Sequence, residues 1–471
     1  MSFQLSSEMD KNKVFLVNRS ELEGRLDPNY YLPKYLETES KLKNLKHKKL
    51  ADFCIKIKKG IFYILASEYV NEGIPFIRIS NLKNGTITKN KLTFITAKKH
   101  EENSNTEFNS GDLLLSKTAS LAISTIPKNF PFCNISQDII GIKLRQGINS
   151  EFISIFLNTS IGIIQLERIM QGQVQQHLTL AEVQKIKIPL VEAKCQKQII
   201  SKITRAYGLK KQKEAEAQQL LDGIDDYLLT ELGIKLPEQA ENHVQSRIFT
   251  RKLSEVSGTR FDPNFNIRIK LILEQKSKYE YKKLKDLIIT SPQYGANEGA
   301  IECNSDSNAV RYIRITDISV IGELKNTSWK TAENIEEQYI LNFNDLLFAR
   351  SGSVGRAYLH KNTDKEAIFA GYLIRFLINE AKADPDYIFY YCHSIIYKVW
   401  VEAIYRPAVQ ANINAEEYKS LPIVLPPLLK QTEIANHITQ IRSQAKQLQQ
   451  QAKDELEQAK KEVEAMILGE A

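Results

Sequence analysis

Apolar and polar positions follow two rhythms along this chain, and each rhythm occurs twice. The first carries short β-branched runs such as Pro75 to Ile79 and Asp138 to Leu144. Turn residues punctuate it at Asn84-Gly85, Asn109-Ser110-Gly111, Ser291-Pro292 and Ser351-Gly352. This pattern predicts a compact α/β globule. The second rhythm is helical. Ile434, Ile438, Ile441, Ala445, Leu448 and Ala452 alternate spacings of four and three, and Leu456, Ala459, Val463 and Met466 extend the stripe with one slip. Gln, Lys and Glu fill the positions between, which makes a heptad seam beside a solvated face. Such a helix either lies on its own domain or pairs with another long helix. Nearly forty residues at 1.5 Å each span about 55–60 Å, more than a small globule can cover. The alanines narrow the seam and suit a close partner.

A weaker helical segment runs from Gln196 to Gly233. Ile200, Ile203 and Tyr207 begin its stripe, Leu221, Ile224 and Leu228 finish it, and Lys210 and Glu214 interrupt the middle. Gly208 and Gly223 each cost about 1 kcal/mol relative to alanine, so a kink or fray is expected there. Gly233 and Gly469 are candidate C-caps. The expected packing residues are Ile200, Ile203, Leu221, Ile224 and Leu228 on the first helix. On the second they are Ile434, Ile438, Ile441, Leu448, Leu456 and Val463.

The doubling extends to the letters. Ser20 to Tyr30 recurs as Ser254 to Phe265 with one inserted residue. Lys48-Lys49-Leu50-Ala51-Asp52-Phe53 matches Lys282-Lys283-Leu284-Lys285-Asp286-Leu287, and Phe76-Ile77-Arg78-Ile79 matches Tyr312-Ile313-Arg314-Ile315. Gly111-Asp112-Leu113-Leu114-Leu115 matches Asn344-Asp345-Leu346-Leu347-Phe348, and Ile188-Pro189-Leu190 matches Ile423-Val424-Leu425. The offset stays between 233 and 236 residues, too long for a solenoid repeat and the size of a domain plus one element. Two copies of a globule and a helix therefore form a pseudo-dimer in one polypeptide. Its two-fold would set the helices antiparallel. A polar linker is expected at Lys235 to Val244, with copy two starting near Arg247.

Composition narrows the class. With 42% apolar and 25% charged residues the chain is ordinary folded protein, and its net charge of +8 is compatible with a polyanionic partner. The opening residues lack the apolar run of a signal peptide, and no stretch of eighteen apolar residues exists, so a cytoplasmic location without a membrane is expected. The five cysteines, Cys54, Cys133, Cys195, Cys303 and Cys392, are scattered without metal-ligand spacing and read as small core residues. There is no phosphate loop, no HExxH pair and no defensible Ser/His/Asp set, so no catalytic residue and no metal site is assigned. Asp27-Pro28-Asn29-Tyr30 and Asp262-Pro263-Asn264-Phe265 brush against the adenine-holding motif of amino-methyltransferases. Asn29 and Asn264 replace its second proline, and an Asp-Pro turn is the favoured reading.

What remains is binding surface. Arg350, Ser351, Ser353 and Arg356 lie in a glycine-bearing loop after a strand. They either offer bidentate donors to guanine edges and phosphates or form a solvated turn. Lys117 and Thr118 are the counterparts in copy one. Arg78 and Asn81, with Arg314 in copy two, could reach a ligand from a strand end or pair internally. Gln173, Gln175 and Gln176, matched by Arg406 and Gln410, could read adenine or simply order the domain's exit. Tyr294, just beyond Ser291-Pro292, completes the DNA-binding candidates. Lysine runs at Lys41 to Lys49 and Lys56 to Lys59 are solvated faces or a phosphate footprint.

Together these landmarks resemble the specificity (S) subunit of type I restriction-modification systems. The resemblance rests on Arg25-Leu26-Asp27-Pro28-Asn29 and Arg260-Phe261-Asp262-Pro263-Asn264, on Tyr312-Ile313-Arg314-Ile315, and on Asn344 through Gly352. It also rests on Leu421-Pro422-Ile423-Val424-Leu425-Pro426-Pro427-Leu428, followed by Gln431, Ile434 and a long helix. It spans nearly the whole chain. Copy one departs from it, lacking the Arg-Ser-Gly triplet and carrying Glu192-Ala193 in the second-proline region. The resemblance implies a mixed α/β (α+β) fold of two target recognition domains, residues 1–190 and 241–425, with helical spacers 191–240 and 426–471 packed as antiparallel coiled coil. It further implies a non-catalytic subunit that reads a bipartite, asymmetric site on double-stranded DNA. Two modification (methyltransferase) subunits and restriction subunits are the implied partners. S-adenosylmethionine, ATP and Mg would reside on those partners, and this chain would hold no cofactor. Two other functions fit the bare pattern: a duplicated-domain scaffold that binds proteins, and a methyltransferase with an unfamiliar motif.

Overall fold

The computed structural model describes residues 9–10, 13–22, 26–118, 121–170, 177–235, 248, 250, 252–253, 261–273, 275–304, 308–325, 329–404 and 412–470. The chain divides into two compact units, Met1–Lys213 with Gln450–Ala471, and Glu214–Gln449. The division runs through the long helices, whereas the sequence-based boundaries fell at their ends. Each unit thus holds a globule and a share of both helices. The expected linker beyond Lys235, Arg25, and Ser254 to Arg260 lie outside the described residues.

The first globule is built on a four-stranded antiparallel sheet ordered Ile123–Thr125, Leu113–Ser116, Ile139–Leu144, Cys54–Lys59. A second sheet of five strands includes one parallel pair, Ile74–Ile77 with Phe132–Ile135. The second globule repeats the first sheet as Ala357–Leu359, Leu346–Ala349, Leu373–Phe376, Gln293–Tyr294. It also repeats the parallel pair, as Arg311–Ile313 with Ala367–Phe369. The predicted strands are present with small shifts: the run at Pro75 stops at Ile77 and passes into a 3-10 turn at Ile79–Asn81.

Local chemistry explains the shared frame. Side-chain oxygens of Asn149, Thr159 and Thr179 cap the three helices they precede, and Asp384 and Asn414 do so in the second globule. Asp27 accepts from the Tyr30 amide at 3.1 Å and Asp262 from the Phe265 amide at 2.8 Å. Both Asp-Pro motifs therefore start helical turns, the favoured reading from sequence. Gly111 has φ +89° and Asn344, its counterpart, φ +71°; asparagine tolerates this left-handed conformation better than most residues. Gly60 and Gly295 mark a close crossing of backbones. A Cβ at Gly60 would lie 1.9 Å from the Ile135 carbonyl oxygen, and one at Gly295 2.4 Å from that of Ala370.

Each globule closes where it meets its helix. His47–Lys49 pairs antiparallel with Lys187–Pro189, and Tyr281–Lys283 with Pro422–Val424. Entrance and exit are thus adjacent, and the chain turns directly into the helices Ala193–Leu232 and Leu428–Leu468. Both helices are continuous, so neither Gly208 nor Gly223 breaks the first. Both end at a glycine of positive φ, Gly233 at +68° and Gly469 at +73°.

Within each unit the helix segments run antiparallel. In the first, Lys202 pairs with Glu462, and Lys213 Nζ lies 2.7 Å from Glu455. In the second, Glu231 pairs with Lys430 at 3.0 Å, and the rings of Tyr227 and His437 stack at 4.3 Å. Of the expected packing residues, Ile203, Leu228, Ile434, Ile438, Leu456 and Val463 are buried, and Ile200, Leu221, Ile224, Ile441 and Leu448 half-buried. The seam has a second role. Ile199, Ile203, Leu456 and Val463 join Leu113, Ile140 and Phe156 in one core, while Leu228, Leu232, Ile434 and Ile438 join Phe348, Tyr387 and Trp400 in another. The two readings of the stripe, a domain-bound helix and a paired helix, therefore both hold. Cys54, Cys133 and Cys392 are buried thiols, and burial pushes Cys54 and Cys133 up to about 12.

Candidate nucleic-acid interface

In the second globule the strand Leu346–Ala349 ends at Arg350, and three features hold that residue. Its amide donates to the Tyr372 carbonyl at 2.9 Å, and its own carbonyl accepts from the Ile413 amide at 2.9 Å. Its guanidinium lies over the Tyr294 ring, 5.1 Å from the centroid. The Tyr294 hydroxyl accepts in turn from the Ala415 amide at 3.2 Å. Arg350 Nε is buried, with no hydrogen-bond partner among the described residues. Tyr372 and Tyr294 are 58% and 39% exposed, so two aromatic faces flank one cation at the surface. Gly352, with φ +72°, has open space where a Cβ would stand.

The first globule has the same frame with different side chains. The Lys117 amide donates to the Asp138 carbonyl at 2.8 Å, and the Lys117 carbonyl accepts from the Leu178 amide at 2.9 Å. Thr118 bridges to His177 as Ser351 bridges to Asn412. Lysine thus replaces arginine, aspartate replaces tyrosine and histidine replaces asparagine on one backbone. Nearby, Phe62 and Tyr63 are 82% and 65% exposed beyond the Gly60 crossing. Neither they nor Tyr372 stood out in the sequence, because a single exposed aromatic has no periodic signature.

Several candidates belong to the framework instead. Asn81 is fully buried, accepting from the Arg78 amide and donating to the carbonyls of Thr88 and Asn90. It has no face left for a ligand. Arg314 forms two bonds to Asp317, at 2.9 and 3.1 Å, and this partner holds its pKa above the usual arginine value. Arg356 donates to the carbonyls of Ile315 and Ile318 at 3.2 and 2.7 Å, which ties the readout loop to the turn beside it. Ser351 is buried, and Ser353 faces a cavity behind the loop. Arg78 donates one bond, to the Lys91 carbonyl at 3.3 Å, and its Nε has no partner among the described residues. Lys56 covers the Phe108 ring at 4.6 Å, and burial lowers its pKa. Gln173, Gln175, Gln176, Arg406 and Gln410 lie outside the described residues.

The geometry is that of two surface loops, each presenting one cation from a strand end on an identical scaffold. The model of the type I restriction modification DNA specificity domain matches residues 43–219 and again 276–458. The chain belongs to this family. Its two matches carry the repeat's offset and take in both globules and most of both long helices. One solved structure, from work on complex assembly and conformational transition of the type I R-M system, shares the fold at a TM-score of 0.51 and 13% identity. That match covers 90% of this chain and 96% of the other. An HsdS subunit from Thermoanaerobacter tengcongensis aligns at 14% identity and a TM-score of 0.37, over 90% of this chain and 97% of that one. A type I S subunit from M. genitalium aligns at 12% and 0.43, over 90% and 96%. The chain is a DNA specificity subunit of the type I restriction-modification class. Among the described residues no single helix is long and apolar enough to cross a membrane.

Proposed function

We propose that each globule reads one half of a bipartite, asymmetric site on double-stranded DNA, and that the helix pair sets the distance between the halves. One observation carries this reading. Lys117 and Arg350 occupy the same backbone position, held by the same pair of main-chain bonds, but differ in chemistry and in their neighbours. Arginine offers a planar fork for a guanine edge, whereas lysine is a flexible point charge. Equal scaffolds with unequal tips suit unequal half-sites. Two readers on one helical spacer fit a fixed gap, because DNA repeats its orientation every 34–36 Å.

The chain itself binds and holds, and performs no chemistry. Base extrusion and methyl transfer fall to two modification subunits docked on the helices. Restriction subunits complete the assembly in the cytoplasm. S-adenosylmethionine, ATP and Mg belong to those partners. Methylation sequencing of the host genome with and without the chain tests the reading. Loss of one two-part motif with a fixed gap is the expected result. Methyl transfer by the purified chain alone would refute it.

A further inference from the structure

Each globule is fastened to its helices at two points, and the fastening residues are repeat equivalents. In the first unit the hairpin Leu82–Lys83 with Thr86–Ile87 turns at Asn84-Gly85. Its tip rests on Tyr207 of the first long helix: the hydroxyl donates to the Asn84 carbonyl at 3.4 Å and stands 3.0 Å from where a Gly85 Cβ would be. In the second unit the corresponding turn, Ser319 to Glu323, rests on Arg442 of the second long helix. Arg442 donates to the Ile321 carbonyl at 2.8 Å, lies 3.5 Å from Glu323, and stacks 5.5 Å from the rings of both Phe389 and Tyr390. Tyr207 and Arg442 are separated by the repeat's own offset of 235 residues.

The other helix holds the second point. Glu464, on the second long helix, accepts from the Ser160 amide at 3.1 Å and from its hydroxyl at 2.7 Å. Asp225, on the first, accepts from the Ile395 amide at 2.8 Å. Ser160 and Ile395 open the equivalent helices Ser160–Ile169 and Ile395–Ile404, again 235 residues apart. In each unit, therefore, one helix grips a hairpin tip and the other caps a helix start. The grip leads to the candidate interface. In the second unit Arg356 bonds the base of the gripped turn, through the Ile315 and Ile318 carbonyls, to the loop that begins at Arg350. In the first, the Gly85 amide donates to the Ile123 carbonyl, on the strand beside Leu113–Ser116.

We infer that Tyr207 with Glu464, and Arg442 with Asp225, are positioning residues that fix the angle of each DNA-reading globule on the helix pair and thereby the gap at which both half-sites can be read. This rests on the proposed reading of the helices as a spacer. Helix length sets the distance, and the two-point grip sets the rotational phase. With 10 to 10.5 base pairs per turn, a reader that swings by about 35° around the DNA axis moves its register by one base pair. The grips are polar contacts at the margin of the cores, so their loss leaves each globule folded but less firmly aimed.

Methylation sequencing tests this in a strain that lacks the chromosomal copy and is complemented with the full-length chain, its partner subunits intact. The wild-type chain should yield one two-part motif at one gap. The double variant Arg442→Met/Asp225→Ala should keep both half-sites. Its methylated fraction at the native gap should fall at least fivefold, with methylation appearing at gaps one base pair longer or shorter. Arg442→Lys/Asp225→Asn retains a donor and an acceptor and should recover the native gap; Tyr207→Ala/Glu464→Ala should loosen the gap as the first double variant does. A native-gap fraction within twofold of wild type in the first double variant would overturn the inference. A change in either half-site would also overturn it, as would a loss of methylation that the conservative pair fails to restore. A wild-type methylome without any two-part motif would instead overturn the spacer reading itself, and this inference with it.

Discussion

Replacing Arg350 with alanine separates reading from folding. The main-chain bonds that set this corner, from Arg350 to Tyr372 and from Ile413 to Arg350, survive the change because they use no side-chain atom. Folding loses the stack on Tyr294, a partly exposed cation–π contact of 5.1 Å worth about 0.5–1 kcal/mol. In a unit of this size that lowers the melting temperature by roughly 2–4 °C. If the guanidinium meets a guanine, binding loses about 1–3 kcal/mol, or roughly 5- to 150-fold in affinity. Fluorescence anisotropy on the assembled complex measures this, with the identified duplex and with duplexes altered one base pair at a time in the second half-site. A base contact predicts a loss that disappears on the duplex whose partner base is already changed. A phosphate contact predicts a uniform loss and a salt slope shallower by about one. Affinity within twofold of wild type on the intact duplex would refute the assignment of Arg350 to the interface.

Glu39 should govern the acid stability of the first globule. Burial pushes its carboxyl up, but hydrogen bonds from Lys187 and Arg168 outweigh that and hold it at about 2 against a usual 4.5. The resulting stabilisation, on the order of 3 kcal/mol, is complete above about pH 5 and lost as the pH falls toward 2. Glu39→Gln should flatten the denaturant midpoint of the first unit over that range. Gly60→Ala places a methyl carbon 1.9 Å from the Ile135 carbonyl oxygen and should cost about 3 kcal/mol or more in chemical denaturation. Gly208→Ala meets open space in a helix interior and should stabilise by about 0.5–1 kcal/mol. Ile438→Ala empties a fully buried site shared by helix and globule, so about 2–5 kcal/mol should be lost from the second unit.

The architecture was legible where one residue type answers one backbone demand. The Gly111/Asn344 match signalled a left-handed turn before a strand, and both positions have positive φ. The Asp-Pro pairs signalled turn starts, and both aspartates accept the amide three residues on. The four-and-three stripe located a seam, but periodicity cannot show that Ile438 and Val463 face a partner helix and a globule at once. The interface was legible only in part. Arg314, Arg350 and Arg356 look alike in sequence, and only three-dimensional neighbours sort them. Asp317 claims the first, two carbonyls claim the third, and Tyr294, distant in sequence, supports the second. The grips on the helices were invisible for the same reason, since Tyr207 and Arg442 share a position but not a chemistry.

The central claim is that each copy reads one half-site by itself. Exchanging residues 25–187 for the corresponding domain of another specificity subunit, followed by methylation sequencing, tests it most directly. The account predicts that one half-site changes while the other half-site and the gap stay as they were. A change in both half-sites, or in neither, would contradict it.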